Sequence, residues 1–206
     1  MLREIRPALS LVIVFTIAMG FFLPEVFTEV AQVAFPFQAG GSLIKQNGAV
    51  VGSAVIGQNF TGASWFNGRP SALSGTDAKG NAIATPYDAS ESGASNLAPS
   101  SAALLATVKA RVAAWHKAYG PGPVPADAAT ASGSGIDPDI SLGNALAQAP
   151  AVAAARHLSA DSVVALVNGM AFQPPLGFIG TANVNVLQLN LALAKMKAGA
   201  TTVSMQ

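Results

Sequence analysis

The sequence predicts an α+β protein: a single N-terminal transmembrane helix followed by one mixed, helix-rich extracytoplasmic domain. Three observations carry this. An uncharged apolar run from Pro7 to Pro24 follows Arg3 and Arg6. Several later segments have helical apolar spacing and a capping residue in front of them, and the one clear hairpin signal is Asn47-Gly48.

At about 1.5 Å per residue the uncharged run reaches roughly 27 Å, close to the thickness of a bilayer's hydrocarbon. A cleavable signal peptide has a shorter apolar core and small residues at its cut site. Here the run ends in Phe21, Phe22, Leu23 and Pro24, so retention is expected. Apolar residues continue through Val26, Phe27 and Val30 to Phe35 and Phe37, consistent with a tilted helix that passes Pro24. Arg3 and Arg6 precede the span and no Lys or Arg follows it until Lys45, which places the N-terminus inside and the remaining chain outside. Ala8, Ser10, Thr16, Ala18 and Gly20 are small positions at which another helix can approach. Residues 1–35 are thus read as anchor and juxtamembrane segment, and 36–206 as the outer domain.

Ser42 to Lys45 and Ala49 to Ile56 read as strands joined by the Asn-Gly turn. Gly57 to Pro99 is loop-like, although Phe60, Trp65, Phe66 and Tyr87 call for burial. Ser100 or Ser101 caps a helix over Ala102–Tyr119, with Leu105, Val108, Val112 and Trp115 on one stripe and Gly120 past its end. Pro121 to Pro125 is a connector. A helix follows Ser141, breaks or kinks near Pro150 and resumes to His157. Ser159 caps another from Ala160 to Asn168, and Asn185 caps a last one with Val186, Leu189, Leu193 and Met196 on one side.

The chain has 206 residues, 11 basic and 10 acidic side chains and a net charge of +1. Such balance gives no footprint for nucleic acid. The absence of cysteine excludes disulfides and thiolate chemistry. With charged residues at only 10%, the surface suits a domain covered by a partner.

The densest polar stretch is Thr130 to Ser141. Ser132 or Ser134 as a nucleophile needs a nearby base, and the only histidines, His116 and His157, fall in or at the end of helices. Gly-x-Ser-x-Gly is not met around Ser134, so a polar loop that ends by capping through Ser141 is preferred to an envelope serine hydrolase. Pro138 holds Asp137 extended, turning the Asp137 and Asp139 carboxylates apart, and the further oxygen ligands of a calcium loop are missing, so no metal is expected. No phosphate-binding loop occurs. Arg69 is expected to tie loop carbonyls and stack on Phe66 rather than bind an anion, and Gln58, Asn96 and Gln148 to make loop hydrogen bonds.

Ordered blocks along the chain resemble the KdpC family, the C subunits of bacterial potassium-transporting Kdp ATPases. They are Arg6-Pro7-Ala8-Leu9, Phe35 to Ala39, Gly57 to Phe60, Gly68 to Ala72, Ser92 to Leu97, Thr130 to Ser141, Ala147 to Pro150, Ala153 to Arg156, Gly180, and Val184 to Leu193. Within them Gln58, Phe60, Gly68, Arg69, Pro70, Ser95, Asn96, Ser132, Gly135, Asp137, Asn185 and Asn190 are expected at structural or interface positions. The resemblance implies a non-catalytic subunit in the bacterial inner membrane. Its implied partners are a channel-like potassium-binding subunit, a P-type ATPase subunit and a small membrane peptide, with the outer domain over the potassium entrance. ATP and potassium are then handled by the complex, with no cofactor in this chain. An alternative for the family makes the C subunit a nucleotide-binding chaperone through the glutamine matching Gln148. An outward domain does not meet cytosolic ATP, and the arginine often found three residues on is Ala151 here. Ser74 to Ala84 resembles an insertion with a solvated tip.

Overall fold

The apolar N-terminal run forms a continuous helical rod over Arg3–Ala34, 32 residues with none of its apolar window buried. It consists of α1 (Leu2–Ile17), a π-helical turn (Ala18–Phe22) and α2 (Leu23–Ala34). The wide turn lies directly before Pro24. Proline has no N–H for the carbonyl of Gly20 and crowds it, and the turn, closed by the Leu23 N–H on the Ala18 carbonyl, opens the backbone where the ring needs room. Ser10 Oγ donates to the Arg6 carbonyl and Thr28 Oγ1 to the Pro24 carbonyl, both at 2.9 Å, so these hydroxyls are satisfied within the rod. At roughly 48 Å the rod exceeds the hydrocarbon thickness. Its charges lie at the two ends, Arg3, Glu4 and Arg6 at one and Glu25 and Glu29 at the other. The small residues do not form one stripe: Ala8 and Thr16 share one side, Ser10 and Ala18 another.

The structure is a computed structural model that describes residues 2–196; positions 197–206, included in the expected outer domain, lie outside them. It divides into two units between Ser53 and Ala54. The first unit continues after the rod with α3 (Pro36–Ala39) and the antiparallel strands β1 (Leu43–Gln46) and β2 (Ala49–Ser53). Asn47 and Gly48 have φ of 52° and 82°, the type I′ turn expected of Asn-Gly. The hairpin is shorter than the apolar pattern predicts, ending at Ser53 rather than Ile56. Ser53 Oγ donates to the Gly41 carbonyl at 2.7 Å, and Ser42, with φ of 51°, lies outside the strand.

In the second unit, the stretch read as loop over Gly57–Pro99 contains a hairpin, β3 (Ser74–Thr76) with β4 (Ala82–Ala84). Its tip is held by Asp77, whose Oδ1 accepts the N–H groups of Lys79 and Asn81 at 2.8 and 2.9 Å. A side chain, not an apolar alternation, organises this turn, which is why strand patterning did not reveal it. Helix α4 (Ala102–Tyr119) has the expected bounds and Ser101 cap. Leu105 does not join its packed stripe and is 55% exposed, while Leu104, Val108, Val112 and Trp115 are half-buried. The connector leads to α5 (Ala126–Ala129).

Strand β5 (Asp139–Ser141) pairs antiparallel with β6 (Asn183–Asn185), a contact between segments that were read only as loop and cap. Helix α6 (Leu142–Ala155) is capped by Ser141 and runs through Pro150 without the expected break. Pro150 is exposed, as are Gly143, Ala147 and Ala154 on the same side of the helix, so the ring sits on the solvent side of α6. The helix ends at Arg156. His157 takes φ of 57°, and the N–H groups of His157 and Leu158 reach the carbonyls of Ala154 and Ala153, closing a Schellman turn. Helix α7 (Ala160–Met170) starts at its Ser159 cap and α8 (Val186–Leu193) at Asn185, whose side chain accepts the Gln188 N–H.

The core joins α6, α7 and α8 to β5, β6 and Phe66. Ala145, Ala149, Val152 and Ala153 meet Val163 and Val167, and these small side chains let α6 and α7 pack closely. Ile140, Val184, Leu189 and Leu193 are at most 1% exposed.

Candidate functional site

Two buried carboxamides grip consecutive peptides of the loop that contains Phe66 and Asn67. On α8, Asn190 Oδ1 accepts the Phe66 N–H and Asn190 Nδ2 donates to the Phe66 carbonyl, both at 2.9 Å. On α6, Gln148 Oε1 accepts the Asn67 N–H at 2.8 Å and Nε2 donates to the Asn67 carbonyl at 3.0 Å. Each amide reproduces the donor and acceptor of a neighbouring strand, which the loop lacks. Gln148 faces inward because Asn144, Ala145, Gln148, Ala149, Val152 and Ala153 recur at helical spacing as the buried side of α6. Its remaining capacity is used by Asn144 Oδ1 at 2.8 Å and the Tyr119 hydroxyl at 3.2 Å. Asn190 and Gln148 are each 1% exposed. The same loop is held by Arg156, whose Nε donates to the Ser64 carbonyl and whose guanidinium lies 4.5 Å from the Trp65 ring.

Beside the clamps, Tyr87 fills space left by two glycines. A Cβ on Gly57 would stand 2.5 Å from both the Asp137 carbonyl and the Tyr87 ring, and one on Gly68 would overlap the Tyr87 hydroxyl. That hydroxyl donates to the Arg69 carbonyl at 2.7 Å. Arg69 pairs with Asp137 at 3.0 Å and donates to the Ala131 carbonyl at 3.3 Å. Carbonyl tying therefore occurs as expected, joined by an ion pair that the sequence did not reveal. The guanidinium stacked on a ring is that of Arg156, on Trp65, in place of the expected Arg69 on Phe66.

Asp137 and Asp139 take different side-chain partners, yet both line one cavity with Arg69 and Asp127, and the Asp139 N–H donates to Asp137 Oδ1 at 3.1 Å. Asp139 Oδ1 accepts from Asn185 at 3.1 Å and Oδ2 from Asn183 at 3.2 Å. Burial pushes the Asp139 carboxyl above its ordinary range, opposed by the Asn185 hydrogen bond and reinforced by the Asp137 charge. Asn185 also donates to the Ala54 carbonyl at 2.9 Å. Asp127 accepts from the Ser141 N–H, the Ser141 hydroxyl and Asn144.

Ser132 is buried and its Oγ accepts the Gly135 N–H at 2.8 Å; Ser134 Oγ accepts the Ile136 N–H at 3.2 Å. The hydroxyls serve the turns of their own loop, while His116 bonds the Gly122 carbonyl, so the polar-loop reading accounts for both serines. Gly135 has φ of 76°, in the region that favours glycine. The Pro70 carbonyl accepts the Ser132 N–H, and Phe60 packs on the core edge with its ring centroid 6.0 Å from that of Trp65. Gln58 is half-buried, and its carbonyl accepts the Phe60 N–H. Ser95 and Asn96 are exposed and do not join the cluster, although neighbouring Gly93 bonds the Ser134 carbonyl.

Sequence reasoning anticipated the burial of Tyr87 but not its partners, and missed the roles of Asn67, Tyr119, Asp127, Asn144 and Asn183. A buried-face reading of α6 had the information to single out Asn144 with Gln148; the others act across the chain and leave no local pattern. Asn67, Arg111, Trp115, Tyr119 and Gln148 line a cavity of about 270 Å³. Among the described residues, no group of three or more His, Asp or Glu side chains could hold a metal ion.

Burial raises the Tyr87 phenol from its ordinary 10.0 to about 12, assisted by the Asp137 charge and opposed by Arg69. Burial also raises Tyr119, against the Asn67 hydrogen bond. These are the two tyrosines of the chain. A raised phenol pKa favours the native state fully below pH 10.0, and that contribution is lost as pH climbs toward about 12. Tyrosinate absorbance of the folded protein is therefore expected to rise at higher pH than that of the denatured chain. Coincident titrations would refute the burial of both phenols.

Comparison with known proteins bears on the whole arrangement. The protein-family model described as "KdpC: K+-transporting ATPase, c chain" matches residues 5–195. A potassium-transporting ATPase KdpC subunit of Methylorubrum extorquens is 47% identical over 199 residues, covering 95% of this chain and 98% of its own length. That of Rhodopseudomonas palustris is 48% identical over 195 residues, covering 94% and 97%. The subunit of Caulobacter vibrioides is 49% identical over 195 residues, covering 94% and 93%. With a family match through nearly every element described above and near-half identity along almost the full length of these relatives, the chain belongs to the KdpC family of K+-transporting ATPase subunits.

Proposed function

We propose that this subunit of the potassium-transporting ATPase is a non-catalytic assembly factor. Its rod docks on helices of the channel-like and P-type ATPase subunits, beside the small membrane peptide, and its second unit lies outside the cell over the potassium entrance. The observation that carries the proposal is the rod: 32 residues, apolar, unburied, with Arg3 and Arg6 before the uncharged run. The clamps support it, because the amide atoms of Asn190 and Gln148 are engaged in holding a loop, even where Gln148 borders the cavity beside Tyr119. Neither ATP nor potassium is assigned to this chain. Gln148, the residue of the nucleotide alternative, uses both amide atoms internally.

The natural absence of cysteine makes topology directly testable. Ala78 lies exposed at the tip of the β3–β4 hairpin. In an Ala78→Cys variant, an impermeant thiol reagent is expected to label intact cells; labelling only after lysis overturns the outward placement. Saturable ATP binding by the purified full chain, abolished in Gln148→Ala with folding intact, overturns the exclusion of nucleotide.

A further inference from the structure

The loop between α7 and β6 presents large apolar side chains that are exposed among the described residues. Phe172 is 57% exposed, Leu176 79%, Phe178 76% and Ile179 55%. The loop is nonetheless built. Phe172 and Asn183 exchange backbone hydrogen bonds of 2.9 and 3.3 Å at its base, and the Gly177 and Ile179 N–H groups return to the Pro174 and Pro175 carbonyls. Leu176 stands at φ of 58°, in the left-handed region that a branched side chain rarely adopts. That conformation turns the Leu176 side chain outward, where it is the most exposed of the four.

Charge selects the occupant. From Ser162 to Ala194 the chain contains no Asp, Glu, Lys, Arg or His. Segments that settle on a lipid surface combine apolar side chains with Lys or Arg for the headgroups, and this one has none. An uncharged projection is complementary to an uncharged recess, where neither side must strip water from an ion. We infer that Phe172 to Ile179 is a docking loop that inserts Leu176 and Phe178 into an uncharged, apolar recess on another protein subunit of the transport complex. The inference rests on the proposed assembly role and deepens it by naming the contact.

The test uses the whole complex purified from membranes, with a photoactivatable benzoylphenylalanine in place of Phe178. Irradiation is expected to join this chain to another subunit. Leu176→Ser and Phe178→Ser are each expected to reduce its retention in the washed complex roughly tenfold, as loss of an interface anchor does. Both side chains lie outside the core, and an unchanged melting temperature of the isolated full chain separates weakened docking from misfolding. Labelling of lipid alone overturns the inference in favour of the bilayer. A chain that copurifies without cross-linking and tolerates both serines also overturns it, while leaving the assembly role intact. A native chain that does not copurify at all overturns the assembly role, and this contact with it.

Discussion

Replacing Asn190 with alanine is expected to destabilise the second unit by about 3 kcal/mol, since two buried backbone groups lose their partners at about 1–3 kcal/mol each. The groups are the Phe66 N–H and carbonyl, and Phe66 itself is 0% exposed, so water cannot replace the amide without opening the core. Gln148→Ala is expected to cost a similar amount through Asn67, Asn144 and Tyr119. Denaturant unfolding of the full chain in detergent, followed by the fluorescence of Trp65 and Trp115, measures both. Asn190→Asp sharpens the test. It keeps an acceptor for the Phe66 N–H but buries a charge and loses the donor, so its deficit is expected to exceed that of alanine at neutral pH. The buried carboxyl would have a raised pKa, so the deficit shrinks as acid restores a proton that the side chain can donate. A loss below about 1 kcal/mol for both alanine variants would show that the loop is held by its own conformation, because an essential buried pair costs more than that.

Gly57→Ala is the second large effect, expected to cost about 2–3 kcal/mol by overpacking. The added methyl would stand 2.5 Å from the Asp137 carbonyl and 2.5 Å from Tyr87 Cε1, while the Gly57 N–H is bonded to the Ile136 carbonyl at 2.8 Å and resists displacement. Two obstacles of different kinds make the mechanism separable. Removing the ring with Tyr87→Ala in the same chain is expected to recover only part of the loss, because the backbone carbonyl stays. Gly68→Ala meets only Tyr87 atoms, so Tyr87→Ala is expected to recover most of its steric cost. Additive losses in both pairs, measured by the same unfolding experiment, would rule out the shared contact with Tyr87.

Features legible in the sequence were those whose cause is local. The rod announces itself through hydropathy and flanking charge, the Asn47-Gly48 turn through its positive φ values, and α4, α6, α7 and α8 through Ser101, Ser141, Ser159 and Asn185, each of which bonds an N–H three residues on. Misreadings arose where surroundings override a local rule. Of the break or kink expected at Pro150, the break does not occur, and α6 runs on through a proline on its exposed side. Leu105 was expected on a packed stripe and faces water. The hairpin of β3 and β4 depends on Asp77, whose role as a turn organiser has no hydropathy signal.

For the site, residue type was a poor guide to role. Gln148 and Asn190 were noticed, one as an ordinary polar side chain and the other within a family block, but neither could be assigned to a peptide until α6 and α8 were placed beside Phe66 and Asn67. The sequence by itself determined a sparsely charged, helix-rich chain with one apolar N-terminal helix long enough to span a membrane, because hydropathy, charge asymmetry and capping act over a few residues. Tertiary structure alone decided that β5 pairs with β6, that Arg69 meets Asp137, that two carboxamides clamp one loop, and that Leu176 and Phe178 stand uncovered. These contacts join residues tens of positions apart, and their energies come from exclusion of water and paired polar groups, quantities that exist only once the chain has folded.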